Sequence, residues 1–412
     1  MNITLIAAGG WHSDSPGGAY RLPSDFARFL VRRGRYVAYL CPSRLAKGNE
    51  PEHCDGVDVY RYSIPTASSP SAANLAAHLY RSRRIAAHVA SRGRVEALLG
   101  HSPLQYLGAL LGCHSARKCY TVHSPFAAEL RSNCSGRPSL SMRASWRLAE
   151  RMDAYIYRKS DVVQCFSNFV LGHIKERCGP LLHGKSIVLP AWVDTDRFVP
   201  SPESPSQVRW RMGAPWRPHV ITFVTVRRLV PRMGLDILLD AAAILSGEAL
   251  DFHLVIGGDG PELSSLREKC LSLSLQDQVS FLGGIPEEQL VDIFRAGNCF
   301  VLPTRSLEGF GLVILEAYAC GTPVIAVPIG AIPEVMGPSF LGWLAASNSA
   351  AALADRMREV IMNHLTTDRG STRRRALEFR LETVASLHER MLLQGNLNDL
   401  AIAGSVKQDV LA

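Results

Sequence analysis

Two carboxylates, Glu308 and Glu316, bracket the stretch Gly-Phe-Gly-Leu-Val-Ile-Leu in the second half of the sequence. The stretch follows an apolar run that ends at Leu302-Pro303. Gly309 and Gly311 leave room for a ligand to touch backbone, with Phe310 between them. The apolar spacing predicts a helix from near Gly311 to Ala319, closed by Gly321. The first N–H groups of that helix, on Gly311, Leu312 and Val313, would point outward with the helix dipole behind them and form an anion site. Glu316, about one turn in, is expected on the rim, where a carboxylate accepts hydrogen bonds from ribose hydroxyls. Glu308, in the loop, can do the same for a sugar ring. The plainer alternative is a helix cap beside two solvated glutamates, a composition that is costly without a ligand.

Other segments occupy similar places. Val226-Arg-Arg-Leu-Val-Pro-Arg-Met-Gly234 follows an apolar run, and a planar guanidinium matches a phosphate bidentately. Arg228 and Arg232 can together neutralise a diphosphate; the alternative is a solvated basic loop. Gly257-Gly258-Asp259-Gly260-Pro261 is by itself a turn, but its position after a strand makes Gly258 and Asp259 lining candidates. Gly17 and Gly18 join the first strand to the first helix. They do not form Gly-x-Gly-x-x-Gly, and no acid follows about 20 residues on, so a dinucleotide fingerprint is absent. His123 ends a strand, as a structural residue or, beside a phosphate site, a functional one. Asp194-Thr-Asp196 spells a metal-binding Asp-x-Asp, yet its place before Arg197-Phe198 reads as a turn or cap, so no metal site is expected. Arg143, Arg147 and Arg151 form a basic stripe beside Leu140, Ala144 and Leu148. That stripe is either an ordinary packed helix or a weak peripheral membrane contact.

Positioning these groups requires alternating strands and helices. Apolar runs predict strands at 3–8, 36–41, 57–62, 95–100, 118–123 and 162–166, with helices between them. Prolines crowd 200–205 and 213–218, which reads as a linker. Strands then resume at 219–226, 252–257, 279–282, 300–303 and 324–327. The final helices are placed at 350–364 and 374–391. The pattern implies an α/β fold of two doubly wound, Rossmann-like domains facing across a cleft, with ligands at the carboxyl ends of the strands.

The chain has 412 residues, of which 47% are hydrophobic and 20% charged, which excludes disorder over most of its length. Its net charge is +8, but Arg373 to Arg375 is the longest basic run, so a nucleic-acid partner is not indicated. Ten cysteines lie scattered without Cys-x-x-Cys, several in apolar runs, which reads as a reduced, cytoplasmic protein. The N-terminus lacks a signal-peptide pattern, and no apolar run reaches the ~18 residues of a membrane span.

Glu308-x7-Glu316, Arg228-Leu229 through Gly234, Gly17-Gly18 and Pro190-Ala-Trp-Val-Asp-Thr-Asp-Arg-Phe198 together resemble the family 4 retaining glycosyltransferases of GT-B fold. The resemblance runs over nearly the whole chain. It implies domains at 1–193, with a crossing helix at about 374–395, and at 194–373, with 396–412 a frayed tail. It implies that the second domain holds a nucleoside-diphosphate sugar, a UDP-sugar first and a GDP-sugar second, as substrate and with no cofactor. The resemblance gives Glu308 the donor hexose, Glu316 the ribose, Arg228 the diphosphate and His123 a place near the transferred sugar. The sequence departs from the family at Met233, where lysine is common, and Arg232 is the candidate for the missing charge. It departs again at Ala191-Trp192, where Asn-Gly is usual.

The acceptor hydroxyl is expected to belong to a surface polysaccharide or lipid-linked glycan, with loops 17–20, 101–106 and 123–126 lining its pocket. A small polyhydroxylated acceptor such as an aminocyclitol is the second choice. A nucleotide-sugar 2-epimerase and a non-catalytic sensor are more distant readings. The Glu-x7-Glu element argues against the first, and the intact Glu308, Arg228 and His123 against the second.

Overall fold

The computed structural model describes residues 2–12, 18–43, 50–63, 72–134 and 136–393. They form two compact units. One comprises the described residues within Met1–Ala127, Leu140–Ala191 and Glu382–Val406; the other those within Ala128–Ser139 and Trp192–Leu381.

The first unit is built on β1 (Asn2–Ala7), β2 (Tyr36–Pro42), β3 (Glu52–Cys54), β4 (Val57–Tyr62), β5 (Arg94–Gly100), β6 (Arg117–Val122), β7 (Val162–Cys165) and β8 (Ser186–Val188). They form one sheet in the order β3-β4-β2-β1-β5-β6-β7-β8. All pairings are parallel except β3 with β4. Parallel strands covered on both faces need continuous apolar runs. Ile3, Leu5, Ile6 and Ala7 of β1 and Val37 to Cys41 of β2 are accordingly buried.

The expectations lacked β3 and β8. β3 is three residues of a hairpin, two of them exposed, closed by Asp55 and Gly56 at φ 50° and 81°. Such an edge strand has no apolar run to betray it. β8 is equally short and half-buried along its length.

The second unit carries β9 (Ile221–Val226), β10 (Phe252–Gly257), β11 (Val279–Gly283), β12 (Cys299–Leu302) and β13 (Val324–Ala326), in the order β11-β10-β9-β12-β13. Its pairings are all parallel.

Two expected segments differ. The proline-rich stretch is no bare linker, because Pro205 opens a helix, Pro205–Met212. Ser204 caps that helix and forms a capping box with Gln207, and proline fits a first helical position that needs no N–H donor. From this helix Arg209, 3% exposed, is buried within the same second unit. It donates to the carbonyls of Arg217, Pro218, Val220 and Ala296 and to Asn298 Oδ1. Burial pulls its guanidinium down to about 10. The second difference is the helix expected over 374–391, which is two helices, Arg369–Leu377 and Leu381–Leu393. Between them Phe379 O accepts from Val193 N at 2.9 Å, and Leu381 N donates to Val193 O at 3.2 Å. This strand-like bridge takes the backbone out of the helical ladder. The later helix packs in the first unit, where His388 Nε2 lies 2.9 Å from Pro190 O and Glu389 pairs with Arg33 and Arg35.

Arg209→Ala should cost at least about 3 kcal/mol, because several buried carbonyls lose their donor together. Ser204→Ala should cost about 1 kcal/mol. Urea unfolding midpoints of the two variants check this ordering.

Candidate functional site

In the second unit the sheet order reverses between β9 and β12, and loops leaving two such strands border a natural ligand crevice. Arg227 is the first residue after β9. Its Nη2 donates to Glu308 Oε2 at 2.6 Å and its Nη1 to Thr304 Oγ1 at 2.5 Å. Thr304 Oγ1 lies 3.3 Å from the same Glu308 oxygen. The side chains of Arg227 and Glu308 are 5% and 13% exposed, so the pair is largely withdrawn from water. Burial pulls the Arg227 guanidinium below its usual value, and the Glu308 carboxylate pulls it back. Both bonds use Oε2, and Oε1 makes none among the described residues. Leu307, just before Glu308, holds φ 55°, a left-handed conformation uncommon for a branched residue.

The arginines of this loop divide differently from expectation. Arg227, which the sequence reading passed over, is the one that engages Glu308. Its only sequence signal is a second arginine beside Arg228 at the end of an apolar run. The Arg228 side chain is exposed and makes no ion pair or hydrogen bond among the described residues. Arg232 is not a free cation. The 3-10 turn Pro231–Met233 carries it to Leu307 O at 3.2 Å, and its Nη2 sits 3.5 Å from Glu129.

The glycines explain how the loops fit together. Gly258 has φ 127°, and a Cβ there would lie 1.8 Å from Arg227 O. A Cβ on Gly234, at φ 70°, would lie 1.9 Å from Pro303 O. Main-chain bonds stitch the same loops: Arg227 N to Gly257 O, Leu229 N to Asp259 O, Arg305 N to Arg232 O and Ala331 N to Glu308 O. The Asp259 side chain accepts from Gly260 N, steadying its own turn.

Gly311 is the N-cap of the helix Leu312–Ala319, left-handed at φ 83°. Leu312 and Val313 are half-buried at its start. Glu316 is 6% exposed and not on the rim, because every residue from Ile314 to Ala319 is buried in this core helix. Phe310 is also buried, its ring 6.0 Å from that of Phe379. Gly309 lies in the loop between Glu308 and Phe310.

In the first unit Gly17 lies outside the described residues, and Gly18 opens the helix Gly18–Arg32. His123 follows β6, and its Nε2 is 3.0 Å from Nδ1 of His101, which follows the neighbouring β5. One ring donates and the other accepts. Phe166 packs edge-on against His123 at 5.0 Å. Burial pushes His123 down to about 4 and lowers His101 as well, so both rings are neutral near pH 7. Two histidines one residue beyond adjacent parallel strands were the sequence signal for this pair. Asp194 Oδ1 accepts from the backbone N–H groups of Asp196 and Arg197, both at 3.0 Å, which makes it the turn cap expected.

Two open, doubly wound α/β units of this kind place the chain in the GT-B fold class. The family model described as "Glycosyl transferases group 1" matches residues 209–376, and "Glycosyltransferase Family 4" matches residues 16–197. The chain belongs to the family 4 glycosyltransferases.

A GDP-mannose-dependent alpha-(1-6)-phosphatidylinositol monomannoside mannosyltransferase of Mycolicibacterium smegmatis is 38% identical over 186 residues, 43% of this chain and 47% of that protein. The phosphatidylinositol N-acetylglucosaminyltransferase gpi3 subunit of Schizosaccharomyces pombe is 28% identical over 293 residues, 68% of this chain and 56% of that protein. The chain thus spans about half the length of the curated relatives it matches. In fold it is similar to a sucrose-phosphate synthase of Thermosynechococcus elongatus, with a TM-score of 0.77 and 21% identity over 98% of this chain and 100% of the other. It is also similar to Anabaena Alr3699/HepE in complex with UDP and glucose, with a TM-score of 0.71 and 17% identity over 95% of this chain and 99% of the other.

Arg227→Met strands a buried carboxylate and should destabilise the protein by about 3 kcal/mol, whereas Arg227→Met with Glu308→Met should cost clearly less than the sum of the single changes. Chemical denaturation of the four species of that cycle is the check. The low value of His123 also fixes a sign: its stability contribution is full above the unfolded value near 6.5 and is lost as pH falls toward about 4. Stability should therefore drop between pH 7 and pH 5 by less in His123→Gln than in the parent, measured by urea midpoints.

Proposed function

We propose that this protein transfers a hexosyl or N-acetylhexosaminyl unit from a nucleoside-diphosphate sugar to an acceptor hydroxyl, with retention of configuration and without a metal. The observation that carries this reading is Glu308, held through one carboxylate oxygen by Arg227 and Thr304 beside the strand-order reversal, with its other oxygen unbonded among the described residues. An oriented carboxylate with one open oxygen is suited to accept hydrogen bonds from sugar hydroxyls.

Departure of the nucleoside diphosphate builds negative charge on phosphate. Arg228, exposed and without a partner among the described residues, and the N–H groups at the start of Leu312–Ala319 are the proposed stabilisers. Removing one such preorganised donor costs ~3–4 kcal/mol of transition-state stabilisation in known cases. The ribose contact is proposed for Glu316, and neutral His123 for the neighbourhood of the transferred sugar. The acceptor hydroxyl enters on the leaving-group side and passes its proton to the departing diphosphate, so no side chain acts as nucleophile.

The names of the relatives order the substrates to be tried. GDP-mannose is the first donor, because it is named for the mannosyltransferases at 33–38% identity, and a UDP-sugar is the second. A lipid-linked acceptor is the first choice, since the names of the mannosyltransferases and of the gpi3 subunit include phosphatidylinositol. A small polyol is the second, favoured by D-inositol 3-phosphate glycosyltransferases among the relatives.

Thermal shifts with GDP, UDP, ADP and dTDP, each in EDTA and in magnesium, test the donor reading. One nucleotide should raise the midpoint in EDTA, with a stabilisation of ~2.7 kcal/mol at 100 times its Kd. The shift should disappear in Glu316→Ala, and Arg228→Ala should weaken nucleotide binding about tenfold. A shift that requires magnesium sinks the metal-free scheme, and no shift with any nucleotide sinks the donor assignment.

A further inference from the structure

The first unit contains a cavity of about 710 Å³ between the helices Leu140–Lys159 and Asn168–Leu182, and none of the proposed donor residues lines it. Its origin is local. Pro180 cannot supply the N–H that continues a helix, and the backbone of Asn168–Leu182 leaves helical geometry at Cys178, with φ −127°. The two helices therefore do not close along this length, and Cys178 lines the gap.

Two lining side chains carry polar atoms with no hydrogen-bond partner among the described residues. Asp153 is 6% exposed; its Oδ2 accepts from Ala127 N at 3.3 Å and its carboxylate also meets the Phe126 N–H, while its Oδ1 has no partner among the described residues. Tyr157, one turn further on and 1% exposed, has an unpaired hydroxyl. Buried polar atoms are ordinarily satisfied, and each one left open costs about 1–3 kcal/mol. Burial pushes the Asp153 carboxyl up to about 7, so near neutrality it can donate as well as accept. At the mouth, Arg147 and Arg151 sit one turn apart on Leu140–Lys159, exposed and without an ion-pair partner among the described residues. Arg177 completes the rim and is matched by Glu150 at 3.7 Å.

An open hydrogen-bonding floor calls for ligand hydroxyls, and two unmatched guanidinium groups at the mouth call for an anion. The volume lies within the range of small-molecule sites. We propose that this cavity binds a phosphorylated polyol, its hydroxyls bonded to Asp153 and Tyr157 and its phosphate held by Arg147 and Arg151. The ester is either free or the headgroup of an anionic lipid. Leu148 and Tyr155, exposed on the same helix, would lie against the acyl region in the second case.

The test uses sn-glycerol 3-phosphate by titration calorimetry, and phosphatidylglycerol vesicles by co-sedimentation with phosphatidylcholine vesicles as reference. Binding of the soluble ester assigns the site to the ester itself. Binding of phosphatidylglycerol vesicles alone assigns it to the lipid headgroup. In the arm that binds, Tyr157→Phe should weaken binding about fivefold and the double variant Arg147→Gln/Arg151→Gln about tenfold. Circular dichroism melts serve as the folding control. Absence of binding to both probes overturns the proposal. So does vesicle binding that falls in the arginine variant but is untouched by Tyr157→Phe, which is surface attraction without use of the cavity. Wild-type affinity in the arginine variant overturns it equally.

Discussion

A guanidinium buried where two parallel strands diverge must have a carboxylate beside it, and much of the second unit's upper edge follows from that need. Arg227 follows the last residue of β9 and is almost wholly withdrawn from water. Its partner, Glu308, comes from the loop after β12, on the other side of the reversal in strand order. Neither charge is tolerable there alone. The loop after β12 is consequently fixed, Leu307 accepts a left-handed conformation, and one oxygen of Glu308 is committed. The arrangement holds the carboxylate in one direction through its Oε2.

Much of the framework was legible in the sequence. Apolar runs mark most of the buried strands, and glycines mark the loops that approach one another. What escaped detection had short range or no side-chain signature. β3 and β8 are three residues each at sheet edges. The break at Phe379–Arg380 depends on a backbone bridge to Val193, some 190 positions away in the chain, and no local pattern encodes it. Among the candidate residues, Glu308 is marked in the sequence by its motif and His123 by its place at a strand end. The choice between Arg227 and Arg228 is not. Adjacent residues at the end of a strand point to opposite faces, and only the position of the partner carboxylate decides which one turns inward. Glu316 was misplaced for a related reason. Helical spacing locates a residue along an axis, but what surrounds that axis comes from the rest of the sheet, and here it leaves Glu316 only 6% exposed.

Arg209 and the His101–His123 pair show the same economy in different chemistry. The arginine gathers the Arg217, Pro218 and Val220 carbonyls of a proline-rich passage that could not form a regular ladder, and a fourth from Ala296. The two imidazoles share one hydrogen bond in surroundings that keep both neutral. In each case a polar side chain is admitted to the interior only where the backbone or another polar group answers it.

The rim loops of the second unit are joined main chain to main chain, at Gly257, Asp259, Arg232 and Glu308, and their closest approaches occur at glycines. A rim braced in this way owes its shape to few of its side chains. Exposed side chains on this rim that make no bond to the loop backbone can be exchanged during divergence without redrawing the loops. Transplanting a whole loop from a relative faces the opposite situation, because each loop's backbone is the mould for its neighbour.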